Sequence, residues 1–547
     1  INKKIDWGHF ILVKNDSDII NSNIIWNSLI SVCEEQANSL LKAAFGPIVR
    51  EAGDLSAGVF DRKYNMIAQA ITGTPGHVNT MAKSLNEIFS KLDVNSIREG
   101  DVLITNDPWI GAGHLFDFIV VTPVFKNDQL INFFASTCHI TDVGGLGWSA
   151  EAKSVFEEGT LIPVSFLRRS FQIQEELLSI ICTNSQVPKE ARGDILSLMS
   201  CNDSGVERLN NLLNKFELVD LDIITKFIFK QSKNAVEARI KSLPTGTYLS
   251  TLKLDGFDKP IVLKAKLKIK EKSISVDLSG SSPAINRGIN CPLNYTIAYA
   301  SYGIKAAICP EVPNNAASLA VIQITAPPGL IVSAESPSPV TARHVVGQAL
   351  PDLVLGCLSK ALPGKILAES AGALWTISIA GAGEKRFNSL NVALGGMGAR
   401  PQSDGLSTTA FPSGVGAVSV EVAEAAAPVI YHKKEFLINS GGSGKFRGGL
   451  GQEIIIGTST NEPFILSAAA FERTKQGPAG RNGGLRGGKG EVSVSDGTKI
   501  KDKGNYLIKK GETIRLVTPG GGGFGKAKLR NKKLQDIDVK NGLTTEH

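Results

Sequence analysis

The pattern of apolar and polar positions divides the chain into three stretches of different character. Ile25, Leu29, Val32, Cys33, Ala37, Leu40, Leu41 and Ala44 recur at the three- and four-residue spacing of one helix face, and Gly46-Pro47 stops the pattern. Strand-like runs follow at Ala57 to Phe60 and Met66 to Ala70, then a helix over Asn79 to Leu92. Val102 to Thr105, Phe118 to Phe125 and Leu130 to Ser136 predict three strands, the last two joined by a hairpin turn at Asn127-Asp128. From Gln174 to Lys241 helical spacing dominates, through Ile195, Leu196, Leu198, Met199, Leu209, Leu212 and Leu213.

A composition shift at Leu243-Pro244-Thr245-Gly246 marks a boundary, after which alternation takes over. Lys264 to Lys270 and Ser273 to Leu278 predict a half-buried hairpin turned by Glu271-Lys272. Tyr295 to Ile308 and His344 to Leu362 predict helices, so this middle stretch is mixed. From Trp375 onward, strands alternate with glycine loops. The expected fold class is α+β and multi-lobed. An N-terminal α/β region covers 1–242, a mixed region 243–374, a strand-rich glycine-loop region 375–525 and a basic tail 526–547. A length of 547 residues suits three or four lobes rather than one core.

Composition narrows the function classes. Hydrophobic residues make up 42% and charged residues 20%, the balance of a folded protein rather than a disordered or fibrous one. The net charge of +7 comes from lysines scattered among acidic residues, without an aromatic-basic stripe, which argues against nucleic acid as a partner. The tail holds Lys526, Lys528, Arg530, Lys532, Lys533 and Lys540 against Asp536, Asp538 and Glu546, and predicts a solvated tail or surface helix. Seven cysteines without a C-x-x-C pair fit a reducing, cytoplasmic setting, with Cys138 a buried small hydrophobe. No run of eighteen apolar residues exists and Ile1-Asn2-Lys3-Lys4 lacks the apolar stretch of an export signal, so neither a membrane span nor export is expected.

The chemistry concentrates in one place. His114-Leu-Phe-Asp117 and His139-Ile-Thr-Asp142 repeat a His-x-x-Asp pattern in a chain with only seven histidines. Imidazole nitrogen and carboxylate oxygen together suit a divalent metal of intermediate softness, and three-residue spacing brings both groups to one side of a helical turn or tight loop. Each pattern lies where a strand-like run breaks into a glycine-containing loop, and antiparallel pairing of the second and third strands would bring the two together. A histidine beside an aspartate can equally be a plain hydrogen-bonded pair. His77, after Thr72-Gly73-Thr74-Pro75-Gly76, reads as a capping or packing residue.

The glycine-rich stretches Ser440 to Gly449, Gly477 to Gly490 and Thr518 to Gly525 invite a nucleotide reading that fails. The first places Phe446 where a phosphate-binding loop needs Ser or Thr, and the third leaves only 22 residues for the rest of a dinucleotide unit. Tight turns are the expected use of both.

With these segments assembled, the chain resembles the hydantoinase B and oxoprolinase family, which includes the B component of N-methylhydantoinases and the alpha subunits of acetone and acetophenone carboxylases. The residues that carry the resemblance are Gly100 to Pro108 running into Gly113 to Asp117, His139 to Gly145, Glu157-Glu158-Gly159, Arg192-Gly193-Asp194, Asp277 to Ser282, Gly395 to Arg400, Ser440 to Gly451 and Pro519 to Gly525. Two positions depart from many relatives: Cys138 where they pair a second histidine with His139, and Asn439 where they have aspartate.

The resemblance implies a divalent metal ion (Zn, Mn or Fe) held by His114, Asp117 and His139, in a subunit working beside a hydantoinase A-type ATP-binding partner of actin-like fold. That partner would phosphorylate a substrate oxygen, and this chain would complete ring-opening hydrolysis of a small cyclic amide. An amide is a poor electrophile until its oxygen becomes a leaving phosphate, and a metal with open positions can activate water or polarise phosphate oxygens. Asp142 and Asp107 would orient imidazoles, and His77 or Glu157 would serve as general base. Carboxylation of a ketone-derived enolate and a non-catalytic assembly scaffold are the alternative readings.

Overall fold

The computed structural model describes residues 16–71, 74–372, 374–384, 387–460, 462–501 and 503–545, so Ile1-Asn2-Lys3-Lys4 and Thr72-Gly73 lie outside the described residues. Strands β1 (Leu55–Phe60), β2 (Met66–Gln69), β3 (Val102–Thr105), β4 (Asp117–Lys126), β5 (Gln129–His139), β6 (Ser165–Arg169) and β7 (Gln172–Ile173) form one antiparallel sheet in the order β2-β1-β5-β4-β3-β6-β7. Its central strands lack polar alternation because both faces are covered. Phe118, Val120 and Phe134 point into one apolar cluster with helices α1 (Asp16–Ala43) and α5 (Pro188–Lys215). Ile119, Val121, Phe133 and Ala135 point the other way, onto Met81, Leu85 and Ile88 of α3 (Pro75–Lys91). Burying each such side chain contributes about 1.5–3 kcal/mol, so period-two geometry with apolar residues at every step locks the sheet between two helical layers. The expected turn is present, Asn127 and Asp128 both taking positive φ (51° and 59°) as a two-residue hairpin requires.

Helices α2 (Pro47–Arg50), α4 (Glu175–Thr183) and α6 (Asp222–Lys241) complete the N-terminal region. The middle region opens with β8 (Gly246–Leu254), β9 (Ile261–Ile269) and β10 (Ile274–Asp277), antiparallel, with β11 (Ile322–Thr325) added parallel to β10. Along β9, buried Leu263, Ala265 and Leu267 alternate with exposed Lys264, Lys266 and Lys268, as the lysine spacing predicts. The buried face is covered by α10 (Leu350–Ala361), which also packs on α7 (Leu293–Ile308). The short helices α8 (Ala316–Ala320) and α9 (His344–Gly347) sit between these elements in the chain. Helix α7 packs against α3, and one apolar cluster runs from Ile25 past residue 242 to Ala361 and on to Ala470. The composition shift at Leu243 thus marks a change from helices to sheet within a shared core.

Strands β12 (Leu374–Gly381), β13 (Asn388–Leu394), β16 (Phe464–Ala468) and β18 (Gly504–Ile508) form a third sheet. A fourth comprises β14 (Val429–Phe436), β15 (Gln452–Thr458), β17 (Glu491–Val494) and β19 (Ile514–Val517), with α11 (Val420–Ala426) beside β14. Trp375, Ile377, Phe464 and Leu466 from one sheet and Ile454, Ile456 and Leu516 from the other share a core. The tail is a helix, α12 (Lys532–Lys540), and it is fastened: buried Asp538 lies 3.1 Å from Arg447 Nε and 2.5 Å from Arg530 Nη2.

The first and third glycine-rich stretches are not the tight turns that the sequence suggests, whereas the second holds one at Arg481 to Gly484, where Gly484 N–H donates to Arg481 O across Asn482 and Gly483 at positive φ. Gly442 N–H donates to Gly521 O, Gly521 N–H to Gly449 O, Gly449 N–H to Met397 O and Gly488 N–H to Ser440 O, so separate segments lie side by side as a backbone-only layer. Gly448 and Gly521 keep negative or extended φ; what they supply is the missing side chain, since a Cβ at Gly448 would stand 1.9 Å from the Gly521 carbonyl oxygen. Glycine serves here for proximity.

Two substitutions separate these roles. Gly448→Ala should cost about 3 kcal/mol or more by forcing backbone apart, whereas Gly497→Ala, at φ +85° with nothing within 4 Å of the new Cβ, should cost only about 1–2 kcal/mol of left-handed strain. Urea unfolding midpoints of the two variants check this, and equal losses would rule out the proximity argument.

Candidate metal centre

The β4–β5 register sets Asp117 directly opposite His139, at the open end of the hairpin. His114 reaches the same point from the loop after β3, which is pinned on several sides. Asn106 Nδ2 donates to Leu115 O and Thr160 O (2.7 and 2.9 Å), and Asn294 Nδ2, at the start of α7, donates to Pro108 O and Gly111 O. Gly113 takes φ +90° where Arg343 and Tyr295 press on the chain. The two histidines and the aspartate thus meet through strand pairing and a braced loop rather than along a helical turn. One potential ligand atom from each lies within 4.8 Å of the others, and all three residues are buried.

Asp117 divides its two oxygens. Oδ1 faces His114 Nε2 at 2.8 Å and His139 Nδ1 at 3.0 Å; Oδ2 faces His77 Nε2 at 2.8 Å and Arg343 Nη2 at 2.5 Å. Burial would raise this carboxyl, but His77 and Arg343 outweigh it and hold it well below the ordinary range. Burial and then Arg343 lower His114 to about 3, which keeps the imidazole neutral. For His77, burial opposes the charged form, but Asp117 and Asp54 outweigh it and raise its pKa.

These residues fit a divalent ion. Ligand atoms roughly 2.1 Å from one ion sit about 3.0 Å apart at right angles and about 3.4 Å apart in a tetrahedron, and the 2.8 and 3.0 Å found around Oδ1 lie at the short end of that range. His114 Nε2 approaches Oδ1 without hydrogen-bond alignment and has no other partner, while Nδ1 lies 2.9 Å from the Thr341 carbonyl. The Thr341 carbonyl only accepts and the Arg343 guanidinium only donates, so the two contacts to Nδ1 favour opposite tautomers; with the proton on Nδ1, Nε2 keeps the lone pair a metal needs. Arg343 Nη1 stands 3.1 Å from the same Nδ1, and its guanidinium stacks 4.2 Å over Tyr295.

An aromatic wall surrounds the trio. Phe116 stacks on His139 at 5.5 Å, and Trp148 stands 5.6 Å from His114 and 5.3 Å from His139. Trp148 Nε1 donates to Thr376 Oγ1 of β12 at 2.7 Å. His114, His139 and Trp148 line a cleft of about 540 Å³, completed by Tyr295, Arg343 and His344 from the middle region and by apolar Leu374, Leu390 and Val392 from the strand-rich region. Burial, then Arg343, keep His344 well below its ordinary pKa.

The other candidate residues take varied places. His77 begins α3, takes its N-cap from Thr74, and contacts Asp117. Asp142 is buried away from the trio and accepts from Gln186 N–H at 2.5 Å. Asp107 accepts from Trp109 N–H at 2.9 Å and supports the loop. Glu157 is exposed and accepts from Lys153 N–H, while its neighbour Glu158 is buried beneath Val340 and Thr341. Cys138 is buried and its thiol is pushed well up by burial. Arg343, His344 and Trp148 are members of the site that their local sequence does not mark. His344 could have been suspected as one of only seven histidines.

Known proteins share this architecture. The family model described as hydantoinase B/oxoprolinase matches residues 18–527. An uncharacterized protein of Methanocaldococcus jannaschii is 30% identical over 534 residues, covering 96% of this chain and 93% of that protein. The B component of a putative D-/L-hydantoinase from a Pseudomonas species is 25% identical, covering 97% and 93%. The crystal structure of an ATP-dependent caprolactamase from Pseudomonas jessenii superposes with a TM-score of 0.88 at 23% identity, covering 97% of this chain and 95% of that one, a likeness of fold. Against the 5-oxoprolinases that it matches, the chain spans only 41–42% of their length. Among the described residues no helix is long and apolar enough to cross a membrane.

Burial raises the Glu158 carboxyl from 4.5 to about 7. The folded state therefore holds this proton more tightly than the unfolded chain, and the associated stability is full below pH 4.5 and is lost as pH rises through about 7. Glu158→Gln, which cannot ionise, should remove a slope on the order of 2 kcal/mol between about pH 5 and 8. Denaturation midpoints across that range check it, and parallel curves for both proteins would refute it.

Proposed function

Because the chain belongs to the hydantoinase B/oxoprolinase family, we propose that it is the metal-holding subunit of an ATP-dependent cyclic amidohydrolase. On this reading it receives a small substrate phosphorylated by an ATP-binding partner subunit and opens the ring. The observation that carries the proposal is the buried convergence of His114 Nε2, Asp117 Oδ1 and His139 Nδ1 at one cleft, with Nε2 left unpartnered.

His114, Asp117 and His139 would hold a divalent ion such as Zn, Mn or Fe, which when bound supplies Lewis acidity and a water of lowered pKa. The protein's own groups do the rest. Arg343 and His77 occupy Oδ2 of Asp117 and so turn Oδ1 toward the imidazoles. Phe116 and Trp148 exclude bulk water on one side, which strengthens every charge interaction within. His77, with Nε2 on Asp117 and Nδ1 3.5 Å from Asp54, is held toward its protonated form by the two carboxylates. Asp107 and Asp142 act through the loops they brace. Glu157, exposed beside the Gly145 loop, has no reach into the cleft and is assigned no proton transfer.

Coexpression with an actin-like ATP-binding subunit should give a complex that hydrolyses a lactam or hydantoin with ATP and without bicarbonate. A strict bicarbonate requirement would make it a carboxylase instead. The purified chain should retain one metal ion, and His114→Ala should weaken its binding by more than about 100-fold, since changing residues that merely orient a ligand already costs roughly 10–100-fold. Metal analysis that finds no ion in either protein would leave the scaffold reading in its place.

A further inference from the structure

We propose that Gln348 is a specificity-determining residue of the cleft: its Oε1 accepts a hydrogen bond from a ring N–H of the substrate, and so selects rings that still carry such a donor after activation. The inference deepens the proposed function and rests on it for the nature of the substrate, while the contact itself is read from the cleft. Gln348 is 2% exposed, follows directly on the α9 turn and lines the same cleft as His114 and His139. Its Nε2 donates to Ser413 Oγ at 3.0 Å, and that hydroxyl lies 2.8 Å from Tyr299 Oη, which in turn receives the Tyr295 O–H at 3.3 Å. The amide nitrogen is thereby engaged, while Oε1 is buried with no hydrogen-bond partner among the described residues. An amide oxygen only accepts, so the group that answers it is a donor.

The neighbours of Gln348 are engaged elsewhere or apolar. Thr376 Oγ1 accepts from Trp148, Arg343 donates to Asp117 and to the Ala112 carbonyl, and Asp54 Oδ1 stands 3.5 Å from His77 Nδ1. His344, four residues before Gln348 and so on the same face of the turn, also buries an Nε2 without a partner among the described residues. The β12–β13 pair supplies carbon: its register sets Thr376 against Val392, and Leu374 and Leu390, each two residues away, share that face and line the cleft. A small ring resting on this wall with its polar edge toward α9 gives Oε1 a ring N–H. Phosphorylating an amide oxygen releases that amide's N–H proton and leaves its nitrogen doubly bonded to carbon, with no donor. The N–H that meets Gln348 in the activated substrate therefore belongs to a second ring nitrogen, as in a cyclic ureide. A buried acceptor left unpaired weakens binding by roughly 5–150-fold, which is the scale of the selection.

Binding to the full-length chain tests this without turnover. By calorimetric titration or saturation-transfer NMR, hydantoin, with its ring N–H groups, should bind at least about tenfold more tightly than 1,3-dimethylhydantoin, which has the same ring and no donor. Gln348→Leu should weaken hydantoin by roughly 5–150-fold, leave the dimethyl ring as it was and so erase the preference. Should that variant fail to fold, Gln348→Met, which keeps the length of the side chain, should do the same. Equal binding of both rings to wild type, no binding of either, or a preference that survives in a folded Leu or Met variant overturns the proposal. So does equal weakening of both rings, which marks a structural role. Coexpression with the ATP-binding subunit separates this contact from the wider reading. A preference lost in the variant, with no ring hydrolysed by the wild-type complex, would keep the role of Gln348 and remove the amidohydrolase; ATP-dependent hydrolysis with the preference unchanged would do the reverse.

Discussion

The site depends on one buried carboxylate. Asp117 is fully enclosed, and an ionised acid in that setting is tolerated only if its lone pairs are met. Three side chains bond it, His77 from α3, His139 from the facing strand and Arg343 from a turn more than 200 residues later, while His114 from a loop turns Nε2 toward Oδ1. Removing any one partner changes the charge felt by the others, so the groups form a unit rather than a list of contacts. Packing around them is correspondingly tight, with Phe116, Trp148 and Tyr295 on three sides.

Chain segments far apart in sequence are brought to this carboxylate by two devices. The first sheet is clamped between helical layers, so the open end of its central hairpin is a rigid platform for Asp117 and His139. The strand-rich region closes the cleft from the other side, and its form depends on glycine backbones lying closer than any side chain permits. Trp148, bonded to Thr376, is a direct link between platform and cover.

Much of this was legible in the sequence. The Asn127-Asp128 turn and the apolar runs on either side fix the hairpin and its register, which places Asp117 against His139 once the strands pair. The lysine alternation in β9 and the helical spacing from Gln174 to Lys241 were equally plain. What could not be read was convergence across regions. Nothing local to Arg343 or His344 signals that their turn docks on a loop near residue 114, because that contact is set by packing of α7 and α10. Glu157 and Glu158 are adjacent and chemically alike; only the three-dimensional course of the loop buries one and exposes the other. Glycine runs likewise signal absence of a side chain without saying whether conformation or proximity requires it.

The pairing of Arg343 with Asp117 also bears on what the cleft attracts. Where a carboxylate is the sole counter-charge to a cation, the two largely cancel and the site has little pull on an anion. Here Arg343 already balances Asp117 through Oδ2 at 2.5 Å, and burial keeps His114 and His344 neutral. Positive charge added at the trio would therefore not be cancelled by Asp117; Asp54, which lines the same cleft and stands 3.5 Å from His77, is the carboxylate left to offset it. On the proposed reading, a metal ion held there would favour a substrate bearing negative charge on its reacting group, as a phosphorylated amide does, over the same amide before activation. If the substrate reaches this centre phosphorylated, as proposed above, the buried Asp117–Arg343 pair is one physical reason for the activated form to bind in preference to the free amide.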